Sequence, residues 1–179
     1  MVTTTTRPNL APAFTRGETQ EALRERAWAV AARVTDPEIP VLTILDLGVL
    51  RDVKIGDGTV EVFITPTYSG CPAMQVIALN IESSLEEAGF GLARITSVLS
   101  PAWTTDWISA DGKAKLKRYG IAPPTDAGPR VARFGEEAVA CPHCGATDTT
   151  RISEFGSTAC KALWRCNACK EPFDYFKCI

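Results

Sequence analysis

Apolar residues recur along this chain at two different periods, and the switches between them mark out its elements. Leu23, Ala27, Val30, Ala31 and Val34 return at helical spacing and predict an amphipathic helix over residues 18–34. Thr15 and Glu18 fit a capping box at its start. It should stop before Asp36-Pro37, because a residue ahead of proline is pushed out of the α region. Residues 36–48, DPEIPVLTILDLG, hold two prolines and three acidic residues, Asp36, Glu38 and Asp46, and read as a loop. The period then falls to two. Val49, Val53 and Ile55 alternate with polar neighbours, Gly56-Asp57-Gly58 turns the chain, and Val60, Val62 and Ile64 alternate again, which predicts a β-hairpin.

The second strand leads into TPTYSGCPAM, residues 65–74, where a strand end becomes a helix start. Pro72 suits the first helical position, since its missing N–H would be unsatisfied there anyway. Cys71 then lies at or near the N-cap, where the positive end of the helix favours a thiolate, and a thiolate is a metal ligand or a nucleophile. A free cysteine packed as a small hydrophobe fits the local sequence equally well. From Pro72 to about Ala88, Met74, Ile77, Ala78, Ile81 and Leu85 form a second helical stripe that reads as core, with Gly89 as its stop. Leu92 to Leu99 is a third strand. PAWTTDW, residues 101–107, is loop-like; Trp103 and Trp107 are either folded back on the core or exposed as docking anchors for a partner. Asp111 to Tyr119 is a short basic helix closed by Gly120, its charges read as a solvated face.

The order α-β-β-α-β-α predicts an α+β fold, a two-layer sandwich with helices on one face of a small, mainly antiparallel sheet. Residues 1–17 read as a disordered tail, 18–120 as this domain, 121–138 as a Pro- and Gly-rich linker, and 139–179 as a separate module. A hydrophobic content of 45% in 179 residues is enough for a core, and a net charge of −2 gives no global attraction to nucleic acid or membrane surfaces. No apolar run approaches the roughly 20 residues of a membrane span, and the first residues have no apolar stretch of a secretory signal, so a cytoplasmic location is expected.

Six of the seven cysteines crowd into the last 39 residues. Cys141-Pro-His-Cys144 and Cys166-Asn-Ala-Cys169 are two C-x-x-C knuckles with 21 residues between them, the spacing of a closed tetrahedral thiolate site. Zinc suits four thiolates and iron fits them too. A module of about 40 residues buries too little to fold alone, so metal binding supplies its folding free energy. His143, the single histidine, sits inside the first knuckle as a bystander, and Cys160 and Cys178 are surplus. From Cys141 onward five basic residues face four acidic ones, a balance that argues against nucleic acid.

DPEIP at 36–40, DLG at 46–48 and the T-x-x-x-x-x-C-P of 65–72 together resemble small proteins related to cytosolic iron–sulfur assembly factors. Within that group, YSGCPAM, LSPAWTTDWIS and FGSTACKALWRCNACKEPFDYFK are similar to the D-subunit family of the bacterial phenylacetyl-CoA ring-epoxidizing oxygenase, over residues 22–177. The resemblance implies the assembly-factor fold for the first domain, a zinc ribbon for the last, and a role in aerobic phenylacetate breakdown. It implies that Cys71, with Asp36 and Glu38, belongs to a site that handles iron or an iron–sulfur cluster transiently. The partners implied are the oxygenase and reductase components, and homodimerisation is compatible with it.

The residues exclude the catalytic part of that chemistry. A carboxylate-bridged di-iron centre needs two Glu-x-x-His pairs on bundle helices, and this chain has one histidine. It has no G-x-G-x-x-G turn after a strand, and no plant-type ferredoxin cysteine spacing. A maturation factor and a non-catalytic structural or regulatory subunit remain; a thiol-dependent enzyme lacks a histidine base for Cys71.

Overall fold

The helices form where apolar periodicity, a cap and a stop coincide. The computed structural model describes residues 18–56, 58–124 and 139–177; the expected tail, Asp57 of the hairpin turn, most of the linker and Cys178 lie outside them. Helix α1 spans Gln20–Ala31 and is capped by Thr19, whose Oγ1 accepts from Ala22 N at 3.2 Å. It therefore starts and stops inside the predicted 18–34, with Thr19 rather than Thr15 as the described cap. Strands β1 (Leu50–Gly56) and β2 (Thr59–Ile64) pair antiparallel, with a register shift between Leu50 and Asp52. Helix α2 spans Ala73–Glu87 and β3 spans Ala93–Ser97.

The sheet order is β1-β2-β3, and β3 runs parallel to β2. The expected mainly antiparallel sheet is thus mixed, because α2 acts as a crossover that carries the chain back to the same end before β3 begins. Helix α1 packs on β1 and on α2, and α2 packs on β3, which gives the two layers. Leu23, Ala27 and Ala31 of α1 and Ile77, Ile81 and Leu85 of α2 meet Val53, Val60 and Val62 of the sheet in one buried cluster.

The loop of residues 36–48 is irregular yet structural. Ile39, Leu42, Ile44 and Leu47 are buried in the same cluster. Asp46 holds the loop together: its Oδ2 accepts from Thr43 N, Thr43 Oγ1 and Lys115 Nζ at 2.9, 2.9 and 2.8 Å. Gly48 follows at φ +69°, and a Cβ there would lie 2.6 Å from Trp107 Cβ, so only glycine closes this turn. Helix α3 (Ala110–Tyr119) is capped by Ser109, whose own amide donates to Asp46 O at 2.8 Å. Its basic residues are therefore not all a solvated face, since Lys115 is tied to Asp46 and Asp111.

The expected linker does not begin at Ile121. Ile121–Ala122 is a two-residue buried strand, β4, paired parallel to β7. It forms the edge of a second sheet, β4-β7-β6-β5, with β5 at Thr149–Ser153, β6 at Lys161–Cys166 and β7 at Pro172–Phe176. Phe176 and Cys160 belong to the apolar cluster of the first domain, so the two sheets share a packed junction.

Candidate metal centres

The two knuckles are built alike. Cys141 N donates to Ala146 O and Gly145 N to Cys141 O; Cys166 N donates to Glu171 O and Lys170 N to Cys166 O. In both, the residue after the second cysteine is left-handed, Gly145 at φ +78° and Lys170 at φ 68°. Cys141 Sγ lies 3.8 Å from Cys169 Sγ, and Cys144 Sγ lies 3.5 Å from Cys166 Sγ. All four sulfurs are within 4.8 Å of one another, and His143 is not in the group. A tetrahedral ion with metal–sulfur bonds of about 2.3 Å requires sulfurs about 3.8 Å apart, whereas a disulfide requires about 2.05 Å. The donor set fits a closed, four-thiolate metal site. The amide of Cys169, 3.4 Å from Cys166 Sγ, draws the Cys166 thiol down to about 7, which readies it as a ligand.

The other cluster lies where the sheets meet. Helix α2 begins at Ala73, one residue later than expected; Pro72 flanks it in helical conformation, and the Cys71 carbonyl accepts from Met74 N at 3.3 Å. Cys71 is partly exposed, and its amide donates to Tyr68 O at 3.2 Å. Tyr68 is pushed up to about 12, by burial first and then by Cys71, Glu38 and Cys160. Glu38 is held above the usual carboxylate range by burial and by the charge of Asp36, against the pull of Lys161. Asp36 Oδ1 accepts from the amides of Glu38 and Ile39, both at 2.8 Å. Asp36 thus shapes the turn that aims Glu38.

The resemblance named Cys71, Asp36 and Glu38; the structure puts Asp36 Oδ1 on the Glu38 amide and Cys160 Sγ 4.0 Å from Glu38 Oε2, a neighbour that the sequence did not name. Tyr68 lies inside the stretch already singled out, and Cys160 was marked only by being surplus to the knuckles. The tryptophans, by contrast, are not surface anchors. Trp103 is buried, donates from Nε1 to Leu47 O at 2.8 Å and rests on Phe176. Trp107 is partly covered, with the Arg51 guanidinium 3.7 Å from its ring centroid. Both fold back because an indole buries more apolar area than any loop residue beside it.

Comparison with known proteins adds identity to this geometry. Residues 24–96 match the family described as iron–sulfur cluster assembly protein, and residues 125–177 match the PaaD zinc beta ribbon domain. A protein of Escherichia coli (strain K12) described as the putative D-subunit of 1,2-phenylacetyl-CoA epoxidase is 52% identical over 153 residues, covering 85% of this chain and 91% of the relative. An "Fe-S protein maturation auxiliary factor" of Porphyromonas gingivalis is 35% identical over 85 residues, 46% of this chain and 80% of the relative. Among solved structures, a domain of unknown function from Bacillus anthracis superposes with a TM-score of 0.50 at 26% identity, covering 54% of this chain and 93% of that one.

Proposed function

We propose, from the premise that this chain belongs to the D-subunit family of phenylacetyl-CoA epoxidase, that it is an accessory protein that assists iron or iron–sulfur cluster insertion into the oxygenase or reductase components. The observation that carries the reading is the partly exposed Cys71 at the head of α2, in the same domain as Glu38, whose turn Asp36 caps. That domain is the one that matches iron–sulfur assembly proteins. Thiolate and carboxylate ligands accept a metal as they lose protons and release it as they regain them, which suits transient handling. Iron here is cargo. In the ribbon, Cys141, Cys144, Cys166 and Cys169 would hold a structural zinc, which supplies folding free energy and leaves no open coordination position. No helix among the described residues is long and apolar enough to cross a membrane. A cytoplasmic place beside the oxygenase components is part of the proposal.

The name of the Escherichia coli relative favours a second reading, a standing subunit of the complex. The test separates them: the oxygenase and reductase components are purified from cells containing this chain, lacking it, or carrying Cys71→Ser, and their iron is measured. Maturation predicts metal-poor, inactive components in the last two cases. Full metal loading in all three would leave only the subunit reading.

A further inference from the structure

The sheet β1-β2-β3 has two faces, and the core uses one of them. Val53, Val60 and Val62 are buried with the apolar residues of α1 and α2. Side chains alternate along a strand, so Lys54, Glu61 and Phe63 point the other way. The pairing register sets Lys54 of β1, Glu61 of β2 and Arg94 of β3 side by side in one row across that opposite face. The next row holds Asp52, Phe63 and Thr96, with Arg51 beside Asp52 at the register shift. Arg51, Lys54 and Arg94 are exposed, and Phe63 is half-buried.

Opposite charges on neighbouring strands ordinarily pair. Here they do not. Glu61 lies between Lys54 and Arg94, yet it accepts from Thr96 Oγ1 at 2.8 Å. Lys54 Nζ turns to the Phe63 ring, 4.6 Å from its centroid, and the Arg51 guanidinium turns to Trp107, at 3.7 Å. Asp52 is taken by Arg24, at 3.2 Å. Among the described residues, none of Arg51, Lys54 and Arg94 has a carboxylate within 4.0 Å. A chain of net charge −2 thus gathers three unpaired cations on one open face.

The shape and chemistry of the face select its occupant. A sheet surface is broad, whereas small-molecule sites are concave. Single-stranded nucleic acid needs bare aromatic faces on which bases stack, and Phe63 and Trp107 each carry a cation on theirs. A protein surface bearing carboxylates fits, since arginine and aromatic side chains are enriched where proteins meet. Lys54 and Arg94 stand two strand spacings apart, about 10 Å, so they would engage separate carboxylates.

We propose that this face docks an acidic segment of a partner protein, its carboxylates set against Arg51, Lys54 and Arg94. The inference rests on the maturation reading for the partner's identity: a protein that passes metal on must touch its client, an oxygenase or reductase component. Docking by exposed charges suits that task, because such pairs speed encounter more than they prolong residence.

The test is a calorimetric titration of the full, metal-loaded chain against each purified oxygenase and reductase component, in dilute buffer and again in salt that screens exposed charges. One component should bind, and salt should weaken it. Lys54→Glu with Arg94→Glu should lower the dilute-buffer affinity at least about tenfold and flatten the salt dependence. Arg151→Glu with Arg165→Glu makes the same change of charge on the second sheet and should bind as wild type does. Unchanged affinity in the first pair overturns the proposal, as does an equal loss in the second pair or binding that salt leaves unchanged. Should the first pair disturb the fold, Arg94→Glu alone decides, and unchanged affinity there overturns the proposal. Absence of binding to every component overturns it as well; the iron content of components matured with Cys71→Ser judges the maturation reading separately. Binding of a uridine oligonucleotide that the first pair abolishes would overturn the choice of a protein partner.

Discussion

The indole of Trp103 and the ring of Phe176 meet with centroids 6.2 Å apart and planes at 54°. They join the loop after β3 to the last strand of the second sheet, so the junction between the two halves has an aromatic centre. Trp103→Ala should cost about 3–5 kcal/mol, the range for emptying a buried tryptophan site. Trp103→Phe keeps one aromatic ring but loses the second ring's volume and the bond to Leu47 O, at about 1–3 kcal/mol. Urea unfolding monitored by circular dichroism measures both, and an unchanged midpoint in Trp103→Ala would contradict the packing assigned here.

Elemental analysis of the purified chain should give about one tightly held metal per molecule, as a closed structural site does. Cys166→Ser with Cys169→Ser should remove it and unfold the second sheet, since that segment depends on the ion for folding. Metal retained by the double variant would mean that other residues are the ligands.

Acid sensitivity should concentrate at Asp46. Burial alone would raise its carboxyl, but Lys115 and the amide and hydroxyl of Thr43 outweigh that and hold it below the ordinary range. The unfolded chain therefore binds its proton more readily. The carboxylate's stabilisation is complete above roughly pH 4 and is lost as pH falls through the lower folded value. Asp46→Asn should cost about 2 kcal/mol near neutral pH and flatten the acid limb of the stability curve. An equally steep limb in the variant would show that another carboxylate is responsible.

Lys170 adopts φ 68° where the first knuckle uses Gly145. Lys170→Gly should relieve left-handed strain and stabilise the ribbon by about 1 kcal/mol, read as a higher melting temperature of the metal-loaded chain. A lower melting temperature would show that the lysine side chain offsets the strain.

Much of the fold was legible because it rests on short-range chemistry. The stripes Leu23–Ala27–Ala31 and Ile77–Ile81–Leu85 repeat at helical spacing, and the knuckle cysteines declare themselves by spacing alone. What stayed hidden depends on contacts distant in sequence. The direction of β3 is set by how α2 packs, which periodicity does not encode. Ile121 and Ala122, two residues beside a Pro- and Gly-rich run, are too few to show a period. Nothing local to Cys160 reveals that its partner is Glu38, and Asp46 gives no hint of Lys115 until α3 is folded against it. Trp103 had two readings that only burial could separate.

The central claim is that this chain acts on the oxygenase system before turnover and not during it. Oxygenase and reductase components are matured in its presence, freed of it, confirmed to be fully metallated, and assayed for phenylacetyl-CoA epoxidation with no further addition. The account predicts full activity, unchanged when the chain is added back. Activity that stays absent until the chain is restored in stoichiometric amount would contradict it and make the chain a working subunit.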